Sequence, residues 1–202
     1  MPGRHHSAMR LARTVTFTAA VVAVTGLLGV RPAAARRAQP IHRATHSFEG
    51  TCAVEGTVDF SPPATALQQL LSVTYDATGT CSGKLDGRDV SNAPVTMHHA
   101  VQSDGSCVYA RTVAPGDGVL TFNDGPTIAY SVEFLYVGTE GLLTFRGTTS
   151  GSAFGHGSFL TPNSSPGAGA GCVNGAGVPE LLMDVTLATQ SPLTSASRPP
   201  RR

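Results

Sequence analysis

From Phe48 onward, Phe48, Gly50, Cys52, Val54, Gly56, Val58 and Phe60 share one parity, while Glu49, Thr51, Ala53, Glu55, Thr57 and Asp59 share the other. A two-residue period of apolar against polar positions predicts a strand with one buried face. A second run repeats it, with Leu71, Val73, Tyr75, Ala77, Gly79, Cys81, Gly83 and Leu85 set against Ser72, Thr74, Asp76, Thr78, Thr80, Ser82 and Lys84. Both cysteines therefore point inward. If the runs pair antiparallel with Cys52 opposite Cys81, Phe60 falls opposite Val73, and Ser61-Pro62-Pro63 ends the pairing because proline offers no ladder donor. A straight strand from Phe48 to Phe60 would span roughly 43 Å, long for a small domain, so it must bend or coil. Gly50 and Gly56, on the inward parity, allow a bulge or the close approach of a bulky neighbour.

The rest of the chain keeps the β pattern. Asp86-Gly87, Asp104-Gly105, Asp117-Gly118 and Asp124-Gly125 read as turns between runs rich in valine, threonine and aromatics. These runs are Val95 to Gln102, Cys107 to Val113, Val119 to Phe122, Thr127 to Val137, Leu142 to Arg146, Ala153 to Leu160 and Glu180 to Ala188. With the first two they predict a single antiparallel β-sandwich of about nine strands; a closed or partly open antiparallel β-barrel is the alternative. Ala64 to Leu71 is the only helical candidate, as a single turn. Pro162 to Pro179, rich in glycine, alanine, serine and proline, reads as a long loop held by Cys172.

Outside the alternating region the composition changes. Arg4, Arg10 and Arg13 precede an apolar stretch from Thr14 to Val30 and the small residues Ala33-Ala34-Ala35, the layout of a secretory signal peptide. The expected organisation is a signal peptide over 1–35, a flexible linker over 36–46, the β-domain over 47–190 and a disordered C-terminal tail over 191–202. Export to the extracellular space follows, with no membrane span once the signal is cleaved. The full chain has 14 basic and 13 acidic residues; cleavage removes Arg4, Arg10, Arg13 and Arg31, leaving ten bases against 13 acids, or −3. Within the β-domain only Lys84, Arg88, Arg111 and Arg146 oppose all 13 acids, or −9. Such an acidic body argues against a nucleic-acid partner.

Four cysteines in an exported chain imply two disulfides, with Cys52–Cys81 and Cys107–Cys172 preferred among the three connectivities. No pair has the C-x2-C spacing of a structural zinc site. Gly79-Thr80-Cys81-Ser82-Gly83 has the outline of a nucleophile elbow, but strand alternation runs through it, where an elbow turns into a helix. Gly167-Ala168-Gly169-Ala170-Gly171 lacks the following helix of a phosphate loop.

Three histidines fall in the domain. His99 shares parity with Val95, Met97 and Val101 and is expected inside; His98 faces out, and His156 lies in Gly155-His156-Gly157. A hydrolytic or metal-dependent enzyme would need His98 or His156 beside a carboxylate in a cleft. The Asp-Gly turns offer oxygen ligands for calcium only where several converge, since no D-x-D-x-D-G loop is present. Glycan binding lacks its usual tryptophan platform; Tyr75, Tyr130 and Tyr136 are expected inside, leaving Tyr109 exposed. In a barrel, Tyr75, Tyr130, Phe134 and Tyr136 would line any cavity for a small apolar ligand.

Phe48-x-Gly50-x-Cys52-x3-Gly56, followed by Pro62-Pro63 and Gly79-Thr80-Cys81-Ser82-Gly83, resembles a pattern in small secreted proteins of high-GC Gram-positive bacteria. The resemblance implies a secreted, disulfide-containing β-rich protein and brings no activity, catalytic residue or cofactor with it. The function expected is that of a non-enzymatic binding or interaction module at or outside the cell surface, for an extracellular macromolecule or small ligand. A barrel carrier of an apolar ligand and an enzyme using His98 or His156 are the alternatives.

Overall fold

The computed structural model describes residues 45–159 and 168–196. The expected signal peptide, most of the expected linker and residues 197–202 lie outside them. Eight strands follow in order: β1 (Thr45–Ala64), β2 (Gln69–Leu85), β3 (Arg88–Gly105), β4 (Tyr109–Phe122), β5 (Thr127–Val137), β6 (Glu140–Gly147), β7 (Ser150–Phe159) and β8 (Val178–Ala196). Each pairs antiparallel with its sequence neighbours, and β8 returns to pair with β1, closing the sheet into a barrel.

The barrel replaces the expected nine-strand sandwich. Cys107 to Val113 and Val119 to Phe122 read as two strands separated by Pro115-Gly116-Asp117-Gly118; they are one strand, β4, irregular against both neighbours but unbroken. Asp117-Gly118 is thus strand interior. The remaining difference is closure: Val54 lies opposite Val185 and Val58 opposite Leu181, a ladder that leaves no free edge. The barrel also reaches past residue 190. β8 continues to Ala196, with Leu193 and Ser195 buried, so residues 191–196, expected in the tail, belong to the barrel wall.

The β1–β2 register matches the sequence reading, with Cys52 opposite Cys81 and Phe60 opposite Val73. The bend expected near Gly50 appears as a shift in pairing with β8 between Phe48 and Thr51. Ala64 to Leu71 forms no helix; it ends β1, makes the connection and starts β2. The one helix among the described residues, α1 (Ala168–Asn174), lies where the glycine and alanine run was read as loop.

Inward parity positions fill the barrel. Tyr75, Tyr130, Phe145, Met97, Leu120 and Ile128 are fully buried, and outward positions are mostly polar. This polarity is the inverse of a membrane-spanning barrel, which is apolar outside. An aromatic belt crosses the interior: Tyr75 packs tilted against His99 at 5.2 Å between ring centres, His99 meets Tyr130 at 6.4 Å, and Tyr130 meets Phe145 edge-on at 5.3 Å. Small inward residues make room for these rings. Gly118 lies opposite Tyr130 and Gly141 opposite Tyr136, and a methyl at either glycine would collide with the tyrosine ring.

Candidate functional site

Both disulfides of the sequence reading are present. Cys52–Cys81 joins facing residues of β1 and β2 inside the wall, and Cys107–Cys172 ties the β3–β4 connection to α1. Two disulfides are compatible with an extracellular protein. No helix among the described residues is long and apolar enough to cross a membrane. Cys81, the centre of the elbow-like pentapeptide, is buried in strand β2 and disulfide-bonded.

His98 and His156 each hold a carboxylate. His98 Nδ1 lies 2.7 Å from Asp76 Oδ1 on β2, and His156 Nε2 lies 2.8 Å from Glu140 Oε2 on β6, where the Ser158 hydroxyl also donates to Glu140. Both pairs are exposed on the outer wall. β3 and β7 lie four strands apart in a ring of eight, so His98 and His156 project from opposite sides and never meet.

His99 faces inward as expected. Burial, reinforced by neighbouring His98 and only partly opposed by Asp76, pushes its pKa down to about 4, so the ring is neutral at ordinary pH. Its Nδ1 lies 3.4 Å from the Tyr130 hydroxyl. Burial raises the pKa of Tyr75, Tyr130 and Tyr136 above the usual phenol range. The Tyr75 hydroxyl donates to the Met183 carbonyl at 3.2 Å, and that of Tyr136 meets Met183 Sδ at 2.7 Å. Tyr75, Phe134 and Tyr136 do line an inner cavity, together with His99, Leu143 and Met183; Tyr130 does not. The cavity measures about 20 Å³, room for one water molecule, against the roughly 300 Å³ or more of a typical ligand pocket.

The Asp-Gly pairs do not converge. Asp86-Gly87 and Asp124-Gly125 lie in the β2–β3 and β4–β5 connections at one end, Asp104-Gly105 closes β3 at the other, and Asp117-Gly118 sits between them. No group of three or more metal-ligating side chains occurs among the described residues. Tyr109, expected outside, is half-buried at the start of β4.

A different site emerges at the end formed by the β1–β2, β3–β4, β5–β6 and β7–β8 connections. Leu67, Val108 and Val173 lie in three of these connections and Val137 directly precedes the fourth; they are 78%, 62%, 88% and 63% exposed. Leu70, at the start of β2, adds a fifth exposed side chain. At the opposite end the β2–β3, β4–β5 and β6–β7 connections carry none of the exposed large apolar side chains among the described residues. The apolar end is also braced. The Cys107 N–H donates to the Thr65 carbonyl at 2.8 Å, Gly138 N–H to Val108 at 2.8 Å, and Phe159 N–H to Thr139 at 2.8 Å. With Cys107–Cys172 these bonds tie the loops to one another, so the apolar tips are held on a fixed rim.

The rim escaped the sequence reading because its residues stand outside the alternating runs. A usable signal was there: Val108 and Val173 directly follow the two cysteines of one disulfide, so the bridge that joins Cys107 to Cys172 holds both valines at the same end. No protein-family model, curated protein or solved structure matches this chain.

Proposed function

We propose that the protein is a secreted, non-enzymatic interaction module that engages an extracellular macromolecule through the apolar rim. The observation that carries this reading is the gathering of Leu67, Val108, Val137 and Val173 at one end of a filled barrel, on loops joined by a disulfide and backbone hydrogen bonds. Exposed aliphatic side chains cost solvation when free and contribute on the order of 1.5 to 3 kcal/mol each when fully covered. Holding them on a rigid rim lowers the ordering cost of binding. The cavity of about 20 Å³ favours this reading over the carrier, and the exposed His98–Asp76 and His156–Glu140 pairs on opposite walls favour it over the enzyme.

A photo-crosslinking residue placed at Val173 tests it directly, with the same residue at Asp124 on the opposite end as comparison. On the surface or in the medium of the producing cells, the rim position is expected to yield a discrete crosslinked adduct that the Asp124 position does not. Equal labelling from both ends, or none from the rim, would overturn the assignment.

A further inference from the structure

A second apolar surface lies on the wall. Leu135 on β5 stands directly opposite Leu142 on β6, and Leu142 lies opposite His156 on β7, two residues from Phe154. Leu135, Leu142 and Phe154 are 43%, 65% and 49% exposed, and Val137 continues the patch toward the rim. The inward residues of the same strands, Phe134, Tyr136, Leu143 and Phe145, already supply the core. The outer set does nothing for the barrel interior.

Charge singles out the same wall. The segment from β5 to β7 carries Glu133, Glu140 and Arg146, a net charge of −1; the other described residues carry eleven acids against Lys84, Arg88 and Arg111, or −8. Beyond β7, along the β8–β1 seam, acids stand directly opposite acids, Glu55 against Asp184 and Asp59 against Glu180. Two copies of this barrel repel through most of their surface and least through β5–β7.

From these two observations we infer that β5–β7 is a self-association face, and that the chain forms a two-fold dimer with Leu135, Leu142 and Phe154 of each copy packed together. A two-fold contact sets the same wall against itself, so Arg146 and Arg111 at its margins can reach Glu133 and Glu140 of the second copy. The area is adequate. Leu135, Leu142 and Phe154 at these exposures present roughly 300 Å², at the level of the largest patch a monomer ordinarily leaves open. With the polar share usual at interfaces this becomes about 550 Å² per copy, or about 1,100 Å² in all, the size of a modest interface. A lipid surface fits less well, because a body at −9 is repelled by anionic headgroups. Strand addition is excluded along the barrel wall because closure leaves no free edge.

Sedimentation velocity on the secreted protein, over concentrations from roughly 1 to 200 µM, reads this out, the micromolar regime being that of a modest interface. The expected result is a monomer–dimer equilibrium that tightens at higher salt, as the like charge of the two bodies is screened. Leu142→Thr and Phe154→Thr keep β-propensity, and each is expected to weaken the dimer tenfold or more while leaving thermal unfolding of the dilute monomer in place. Leu67→Thr, at the rim, is expected to leave the dimer intact, which separates this face from the proposed binding end. A wild-type chain that stays monomeric throughout the range overturns the inference. So does a dimer that survives both wall substitutions or dissolves with Leu67→Thr.

Discussion

The ring of Tyr136 covers Gly141, its register partner on β6, and its hydroxyl reaches past Gly157 on β7 to Met183 Sδ on β8. One side chain thus spans four neighbouring strands because two of them contribute no Cβ beneath it. Gly141→Ala should force the ring off its rotamer and cost about 1 to 3 kcal/mol of stability, the usual penalty for overpacking. Tyr136→Phe should cost less, about 1 kcal/mol, since only the contact to sulfur is lost. Urea unfolding of the two variants tests the order.

His99 makes stability depend on pH. Its folded pKa is about 4 and its unfolded value about 6.5, so between these values the unfolded chain binds a proton that the folded chain refuses. The stability attached to neutral His99 is complete above pH about 6.5 and is lost as pH falls toward 4, on the order of 3 kcal/mol in all. Inside, it faces the ring of Tyr75 and the hydroxyl of Tyr130, both un-ionised across this window; the groups acting on it through charge are His98 and Asp76. His99→Met should remove most of the slope between pH 6.5 and 4 in denaturation midpoints. An unchanged slope would mean that other groups titrate there.

Asp86 acts lower on the pH scale. Partial burial pushes its pKa up, but the His46 ring and the Ser47 N–H, at 2.9 and 2.8 Å, more than offset this and hold it below the usual carboxylate value. Its contribution is present above the unfolded value near 3.9 and disappears as pH falls through the folded one. Because the pair is partly exposed, Asp86→Asn should cost no more than about 1 kcal/mol at pH 7. Amide exchange should locate the loss at the start of β1.

The Ser103 hydroxyl is buried without a hydrogen-bond partner. Ser103→Ala removes an uncompensated polar group and should leave stability unchanged or raise it by up to about 1 kcal/mol. A clear loss in thermal unfolding would point to a bonded water at that position.

The Cys107–Cys172 bridge closes a loop of 65 residues, for which chain entropy assigns about 4 kcal/mol. The Cys107→Ser, Cys172→Ser double variant should lose part of that. Its more telling effect should be faster amide exchange at Gly138 and at position 107, whose backbone bonds hold the rim together.

How much the sequence disclosed follows from where the alternation was clean. β1 and β2 alternate without interruption, so their register and their disulfide could be read directly, as could the inward direction of His99. β4 was divided because Pro115-Gly116-Asp117-Gly118 has turn chemistry; Gly116 and Gly118 instead clear space within a strand, the first against Val101 and the second against Tyr130. Closure was not legible, since parity fixes which face is buried and says nothing about whether the first strand meets the last. The wall patch was hidden for a related reason. In Phe134-Leu135-Tyr136-Val137 and Leu142-Leu143 both parities are apolar, so no polar alternation sets Leu135, Val137 and Leu142 apart as outward residues.

The pairing of Thr45 with Ala196 makes the ring dependent on the end of the chain. During synthesis β1 emerges first of the eight strands, yet its second neighbour, β8, is complete only about 150 residues later. Until then the hairpin of β1 and β2 has only one covered side, and its open edge is a template for the wrong partner. Oxidation of Cys52 with Cys81 needs only the first two strands, so it can fix their register before the remaining six exist. The early bridge would hold the seam open in the correct alignment for the strand that closes it.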